Sequence, residues 1–347
     1  MDGTGHRQDA EPRLRAPRAV PCGLMSFELP SSVDVLVVGG GPAGLSAALW
    51  LGRYQRSTLV VDAGRPRNRR ADLAHGIPGR DPVAPDELLA DMRAEVERYP
   101  EVCLRSGTVT DLRGSAEAGF TAVIDGAHRV TASRVVLAAG VSDRFPRVEG
   151  FEEHYAIDVH HCPACDGFEI RGQDVVVLGA GDQVPAFASE LLDWAATVRI
   201  VTDTAGESFG TDQRRSLAEH GIEVFDGPAS ALVGEPGELA GVLLEDGTCV
   251  PGASVFFSYA HRPHHDLAVG LGCELDDGGH LVVNGFQLTT VDGVYAAGDL
   301  TPGLQLVVIA MGQGVSAGVA CATSLRGIAT EAGPCPAPPT RRFAPLP

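Results

Sequence analysis

VDVLVVGGGPAGLSAAL, residues 33–49, decides how this chain folds. VDVLVV (33–38) has the β-branched content of a strand and runs directly into GGGPAG. Leu45, Ala48, Leu49 and Gly52 then recur at helical spacing, and TLVVD (58–62) reads as the next strand. The product is a β-α-β unit with glycines at its first turn. The pattern G-x-G-x-x-G falls on Gly39, Gly41 and Gly44, with Pro42 and Ala43 between the last two. The first glycine permits a tight turn, the second lets a pyrophosphate approach the backbone, and the third lets helix and strand pack closely. A helix start offers unpaired N–H groups and partial positive charge to phosphate. Asp62 stands 21 residues beyond Gly41, at a strand end where an acid accepts from a ribose hydroxyl. Glycine turns also occur without ligands, but strand, glycines, helix and acid together point to a dinucleotide.

A second unit of the same kind starts at DVVVLGAG (174–181), with a helix through FASELLDWA (187–195) and a strand VRIVTD (198–203). Its fingerprint is damaged. Gly179 and Gly181 are in place, but Val184 takes the third glycine position and obstructs close packing. Pro185 follows and removes an N–H from the turn. Asp203 lies 22 residues past Gly181, equivalent to Asp62, with no basic cluster to receive the 2′-phosphate of NADP. A structural half without nucleotide and a working NAD(P) site are equally compatible with these residues. A third glycine-rich strand end, VYAAGD (294–299), precedes a long apolar stretch at 304–322, which Gln305, Gln313 and several glycines mark as a buried helix, not a membrane span.

The bulk numbers bound the rest. With 347 residues the chain fits two domains, and 44% hydrophobic with 21% charged residues is a globular composition. A formal net charge of −18 repels nucleic acid and anionic membranes, so neither is an expected partner. Every basic side chain is Arg and none is Lys; no function is read from that. Residues 1–31 are expected to be a disordered extension without a secretory signal, Met25 being a second candidate start, and 328–347 a Pro-rich tail. Between them the expected division is 32–150, an inserted segment 151–265, and a returning segment 266–327. Eight scattered cysteines do not make a disulfide framework, and the expected compartment is cytoplasmic.

HHCPACDGFE (160–169) brings Cys162 and Cys165 into C-x-x-C spacing behind two histidines. Zinc would take His160 or His161 with both thiols, His264 or His265 closing the shell, but a second C-x-x-C is missing. An inert buried pair fits poorly with the flanking Pro163 and Asp166. A redox pair explains more, because the spacing lets one thiolate be stabilised by its neighbour, and Asp166 can serve as general acid/base. His161 and its neighbour either help hold charge on sulfur or simply line a solvated turn.

Taken together, GGGPAGLSAAL, LAAG (137–140), CPACDGFE, the second glycine turn and TTVDGVYAAGD (289–299) resemble the low-molecular-weight thioredoxin reductase family of flavoproteins, from Val33 to about Arg326. The resemblance implies an α/β protein of two Rossmann-like, three-layer domains, an FAD domain with an NAD(P)-type domain inserted in it. It implies FAD held by Gly39, Gly41, Pro42, Ala43, Gly44 and Asp62, with Gly140 in the LAAG turn. Gly298 and Asp299 would meet the ribityl and phosphate region, and Gln305 would lie by the isoalloxazine. Cys165 would be the thiol beside the flavin, Cys162 the one that exchanges with substrate, and Asp166 the acid/base. Family members are usually homodimers.

The departures from the family are specific. NADPH-using reductases carry His-Arg-Arg after the second Rossmann strand, where this chain has Thr202-Asp203-Thr204. Replacing Arg by Asp against a phosphate reverses a Coulomb interaction of about 4 kcal/mol at ~4 Å and an effective dielectric of ~20. NAD(P)H is therefore a doubtful ligand. HCPAC and RPRNRRADLAHGIPGRD (65–81) look more like a branch of dithiol oxidases that close disulfides in small natural products such as gliotoxin and holomycin. That Arg-rich segment either contacts FAD or substrate or is a solvated loop. The expected activity is a dithiol oxidase with O2 as acceptor and a small-molecule dithiol as substrate. The rivals are a nicotinamide-driven reductase of a small disulfide or a thioredoxin-like protein, and a non-catalytic zinc module.

Overall fold

The computed structural model describes residues 29–326, except Glu207 and Ala260. The expectations for the N-terminal extension, Met25 and the Pro-rich tail lie outside the described residues.

Strand Ser32–Val38 is buried over its last four residues and takes the centre of a seven-stranded sheet. It pairs in parallel with Thr58–Asp62 on one side and with the long strand His128–Leu137 on the other. Val102–Ser106 extends the parallel edge, and Val294–Ala296 returns from the far end of the sequence to pair with Val135–Leu137. Its near-continuous apolar strands are those of a sheet covered on both faces. The first half of His128–Leu137 instead forms an antiparallel meander with Gly119–Ile124 and Val109–Ser115.

Two helices cover one face. Pro42–Arg53 starts directly after the glycine turn, its proline at the position where a missing N–H costs nothing. Val307–Ser324 packs along it through small residues: a Cβ on Gly314 would stand 2.1 Å from Ala43 O, and one on Gly318 2.7 Å from Ala47 O. That helix is long and apolar enough to cross a bilayer, but here its Ala–Gly face is closed against the first helix. It begins at Val307, two residues beyond Gln305.

The second sheet is parallel and five-stranded, built from Glu223–Phe225, Thr197–Val201, Asp174–Leu178, Ser254–Phe257 and Val159–His160 in that order. A separate three-stranded antiparallel meander, Ala229–Glu235 to Pro251, accompanies it. The two sheets communicate through a short ribbon. Val141–Asp143 leaves the first sheet, His261–Pro263 returns to it, and the two pair antiparallel with His261 opposite Asp143. The architecture is thus two Rossmann-like layers, one inserted in the other, as the resemblance implied.

Candidate active site

The first glycine turn is built to approach a ligand. Gly39 has φ +104°, and a Cβ there would meet Ala138 O at 2.3 Å, so only glycine fits. A Cβ on Gly44 would stand 1.9 Å from Gly39 O, which is the close helix–strand contact expected of the third glycine. Gly41 differs: nothing lies within 4 Å of where its Cβ would be. Open space above a helix N-terminus is what a pyrophosphate needs. Beside it a cavity of about 440 Å³ is lined by Gly40, Asp62, Gly64, Arg93 and Ser106, with Leu45 and Val60 as its apolar wall. Asp62 sits at this cavity with Oδ2 paired to Arg93 at 2.9 Å and Oδ1 accepting from Gly64 N. Apolar wall, acid and open glycine turn fit the adenosine and pyrophosphate of a dinucleotide. A larger cleft of about 760 Å³ lies between Thr197–Arg199 and Gly221–Phe225 on the second sheet, lined by none of the residues with redox chemistry.

Asp299 and Gln305 converge on a residue that motif reading did not single out. Arg67 donates from Nε and Nη2 to both oxygens of Asp143, at 2.9 and 2.5 Å, and from Nη1 to Gln305 Oε1 at 2.6 Å and Asp299 Oδ2 at 3.2 Å. Burial opposes its charge, but Asp143 and then Asp299 outweigh that and hold it more firmly protonated than usual. Asp143 is likewise kept ionised by Arg67 against the cost of burial. Gly298 N donates to Gln313 Oε1, tying this turn to the long helix. Gly140 has φ +65° and open space at its Cβ position, and its carbonyl accepts from His264 N.

The thiol pair sits on a single helical turn, Pro163–Asp166, with Cys162 at its N-cap. Cys162 and Cys165 are joined as a disulfide, and Cys165 N donates to Cys162 Sγ at 3.1 Å. That N–H is placed to stabilise negative charge on Cys162 when the bond opens. A Cβ on Gly167 would strike the Trp194 ring at 2.6 Å, so the turn packs tightly on the rest of the inserted segment. Asp166 Oδ1 lies 3.6 Å from His160 Nδ1. Burial, then Glu169, push the Asp166 carboxyl up to about 6, with His75 opposing. Burial holds both His160 and His161 down near 4, so each is neutral around pH 7. His161 Nδ1 lies 3.3 Å from the Tyr155 hydroxyl, its ring stacked on Tyr155, and Arg67, Asp143 and His261 are near enough to act on its charge. The disulfide turn therefore faces the Arg67 end of the first domain.

The Arg-rich loop is solvated over much of its length, with Arg65, Arg69 and Arg70 exposed, but it turns Arg67 inward. Besides Arg67, its Arg70 reaches Glu152 at 3.1 Å and its His75 lies 3.7 Å from Glu169, so the loop bridges both domains beside the disulfide. The zinc shell does not assemble. His264 is engaged by Ser142 Oγ and Ala139 O, His265 by Gly279 O, and among the described residues no group of three His, Cys, Asp or Glu is placed to hold a metal.

The second glycine turn is occupied by its own side chains. Its helix starts only at Val184, which is fully buried, whereas the first begins immediately after Gly41. Gln183 Oε1 lies 2.8 Å from where a Cβ on Gly181 would stand. Asp203, at φ +51°, accepts from Ala229 N on Oδ1 at 2.8 Å and from the Tyr259 hydroxyl on Oδ2 at 2.6 Å. Motif reading had left Asp203 as a ribose acceptor for NADH; each of its oxygens already accepts one hydrogen bond from within the domain.

Comparison with known proteins agrees with this layout. The model of the pyridine nucleotide-disulphide oxidoreductase family matches residues 33–314. Thioredoxin reductase sirT of Leptosphaeria maculans is 32% identical over 312 residues, covering 83% of this chain and 93% of its own. The crystal structure of HlmI superposes with a TM-score of 0.81 at 34% identity, covering 87% of this chain and 95% of its own. An oxidoreductase from Agrobacterium tumefaciens gives 0.79 at 36% identity, covering 85% and 99%.

Proposed function

Because the chain belongs to the pyridine nucleotide-disulphide oxidoreductase family, we propose that it is the oxidising kind: a dithiol oxidase that closes a disulfide in a small molecule and passes the electrons to O2. It is an FAD-dependent, thioredoxin reductase-like oxidoreductase. Gly39, Gly41, Gly44 and Asp62 would hold the adenosine and pyrophosphate of FAD, and Asp299, Gln305 and Arg67 would stand at its isoalloxazine end. FAD, when bound, supplies a two-electron acceptor next to the thiol pair.

The chain's own residues account for the thiol chemistry. A substrate thiolate attacks Cys162 Sγ, the Cys162–Cys165 bond breaks, and Cys165 leaves as the thiolate. The second substrate thiolate then attacks the mixed disulfide, which releases the product disulfide and Cys162. Asp166, with its carboxyl near 6, is mostly ionised at pH 7 and takes the proton of an incoming thiol. The N–H of Cys165 then stabilises charge on Cys162.

One observation carries the choice of direction. Thr202-Asp203-Thr204 stands where a basic cluster would meet NADPH, and Asp203 is bonded to Tyr259 and Ala229 instead of facing outward. The electron input from nicotinamide is weakened while the thiol pair and the FAD-binding turns are whole. The second reading, a reductase of a thioredoxin-like protein, rests on relatives named thioredoxin reductase. Anaerobic reduction separates the two. A small dithiol should bleach the flavin and air should restore it with peroxide formed, while NADPH at equal concentration does little. Rapid stoichiometric bleaching by NADPH, coupled to disulfide reduction, would falsify the oxidase reading.

A further inference from the structure

The Arg-rich segment presents a second group to the disulfide turn, one that the thiol chemistry above does not use. His75 stands on a loop closed by Ala74 and Val83, with Ala74 N donating to Val83 O at 2.8 Å and Val83 N to Ala74 O at 3.1 Å. Ile77 and Val83 are buried with Leu88 against Val307 and Val308 of the long helix, so the loop is a fixed mount. His75 Nδ1 lies 3.1 Å from Asp81 Oδ1, an oxygen that also accepts from Gly76 N at 3.3 Å. A carboxylate oxygen only accepts, so Nδ1 carries the hydrogen and Nε2 of the neutral ring is a lone pair. On that side Glu169 Oε1, four residues beyond Cys165, stands 3.7 Å from Nε2. The separation is too long for a hydrogen bond and leaves Nε2 open to a third group.

We propose that the Asp81–His75 dyad is the second proton acceptor of the thiol–disulfide exchange, presented to the disulfide turn from the first domain. The proposal rests on the dithiol oxidase reading. Two substrate thiols give up two protons while the Cys162–Cys165 bond takes two electrons. The first proton goes to Asp166 as one substrate sulfur bonds to Cys162 and Cys165 leaves as the thiolate. A carboxyl that holds that proton cannot take another. The second proton goes to His75 Nε2 as the other substrate sulfur attacks the first, the bond to Cys162 breaks, and Cys162 leaves as the thiolate. A closed product disulfide, two cysteine thiolates, a protonated Asp166 and an imidazolium at His75 account for both protons and both electrons.

The histidines beside the thiols do not compete for this role. Burial holds His160 and His161 near 4, so neither keeps a proton at pH 7. The His75 side chain is 25% exposed and can pass its proton on to water. Burial, then Glu169, push the Asp166 carboxyl up and the charge of His75 opposes them, which places the imidazole within electrostatic reach of the first acceptor. The titratable groups facing His75 are Asp81 on its own loop and Glu169 and Asp166 at the disulfide turn. Asp81 is a positioning residue, and His75 is the group that meets the substrate thiol. The second attack is intramolecular and therefore fast once its proton is gone. The wild-type bleaching rate then follows Asp166, and His75 shows itself in the mixed disulfide.

The test uses the holoenzyme with dithiothreitol in the absence of oxygen, comparing the wild type with His75→Gln. Acid-quenched samples are read by mass spectrometry for a mixed disulfide of dithiothreitol with Cys162, and flavin bleaching is followed in parallel. At pH 7 the variant should accumulate this adduct, which the wild type does not, and should bleach roughly a hundredfold more slowly. Above about pH 9, past the ordinary thiol pKa, the dithiol ionises unaided. There the adduct should disappear and the gap in rate should close. A wild-type rate without adduct at pH 7 overturns the dyad, and so does a gap that persists at high pH, which marks a structural defect. Asp81→Asn keeps the imidazole but removes the charge behind it, and should show the same signs to a smaller degree. Wild-type behaviour of Asp81→Asn overturns the proposal even if His75→Gln fails to fold. Failure of dithiothreitol to bleach the wild-type flavin sinks the oxidase reading instead, and the adduct, which reports on the thiol pair without the flavin, then decides the dyad alone.

Discussion

The Tyr259 hydroxyl donates to Asp203 Oδ2 at 2.6 Å while Ala229 N donates to Oδ1, so each oxygen of this carboxylate already spends one acceptor site inside the domain. Burial, reinforced by Asp203, keeps the phenol protonated and therefore a donor. An acid usually tolerates φ > 0 better than most residues, and the two donors fix Asp203 at +51°. Tyr259→Phe should release one oxygen. Flavin reduction by NADH should rise by roughly tenfold or more over the wild type, as one hydrogen bond to a charged group is worth about 1.5–3 kcal/mol. NADPH should remain poor, because no arginine appears at this turn. Stopped-flow absorbance with each nucleotide is the measurement, and equal gains for both would show that Asp203 is not the obstacle.

Two glycines of one turn should fail differently. A methyl at Gly44 would be driven into Gly39 O, whereas one at Gly41 would enter open space. Gly44→Ala should therefore yield little soluble protein. Gly41→Ala should fold with a wild-type circular dichroism spectrum yet purify with most of its flavin missing. A yellow, fully loaded Gly41→Ala protein would remove Gly41 from the pyrophosphate site.

Much of this architecture was legible, and the reasons are local. The strand at 33–38 and the strand Thr58–Asp62 declare themselves through β-branched runs that end at glycine or at an acid. The damage at Val184 was legible too, and its consequence is a helix that starts late. Arg67 was not legible. Its partners Asp143 and Asp299 stand 76 and 232 residues away, and an arginine in an Arg-, Pro- and Gly-rich segment looks the same whether solvated or buried. Tyr259 closing Asp203 was invisible because strand and tyrosine meet only when the second sheet forms.

The two cysteines should be unequal in colour. If Cys165 faces the flavin, Cys162→Ser leaves its thiolate against the oxidised ring and should give a long-wavelength charge-transfer band that fades on acidification. Cys165→Ser should lack the band, since the thiolate of Cys162 is held by the backbone N–H of residue 165. The band appearing in Cys165→Ser would exchange the roles.

Removing Arg67 should cost stability as well as flavin. It bridges two carboxylates whose side chains are only 9% and 19% exposed, and without it both are left partly buried and unpaired. Arg67→Ala should lower unfolding free energy by about 2–4 kcal/mol in urea titrations and weaken flavin retention. Lysine should rescue little, because a point charge cannot reproduce the two-pronged contact with Asp143. A stable, fully loaded Arg67→Lys protein would mean that charge alone suffices here.

The pH response should isolate Asp166. Its carboxyl titrates near 3.8 when unperturbed and near 6 in the folded protein, chiefly through burial. Below the lower value it is neutral in both states and burial costs nothing. Above the upper value it is ionised in both, so the folded state loses stability as pH rises between them. Asp166→Asn carries no such charge. The variant should gain stability over the wild type at pH 8, by about 1–3 kcal/mol relative to their difference at pH 4. Catalysis should run the other way. The ionised carboxylate is the form that accepts a thiol proton, so flavin bleaching by dithiol should accelerate as pH rises through about 6. His160 and His161 are neutral across that window and do not mask the inflection. In Asp166→Asn the inflection should vanish and the rate fall by roughly 10²-fold. An inflection near 6 that survives the substitution would assign the proton transfer to another group.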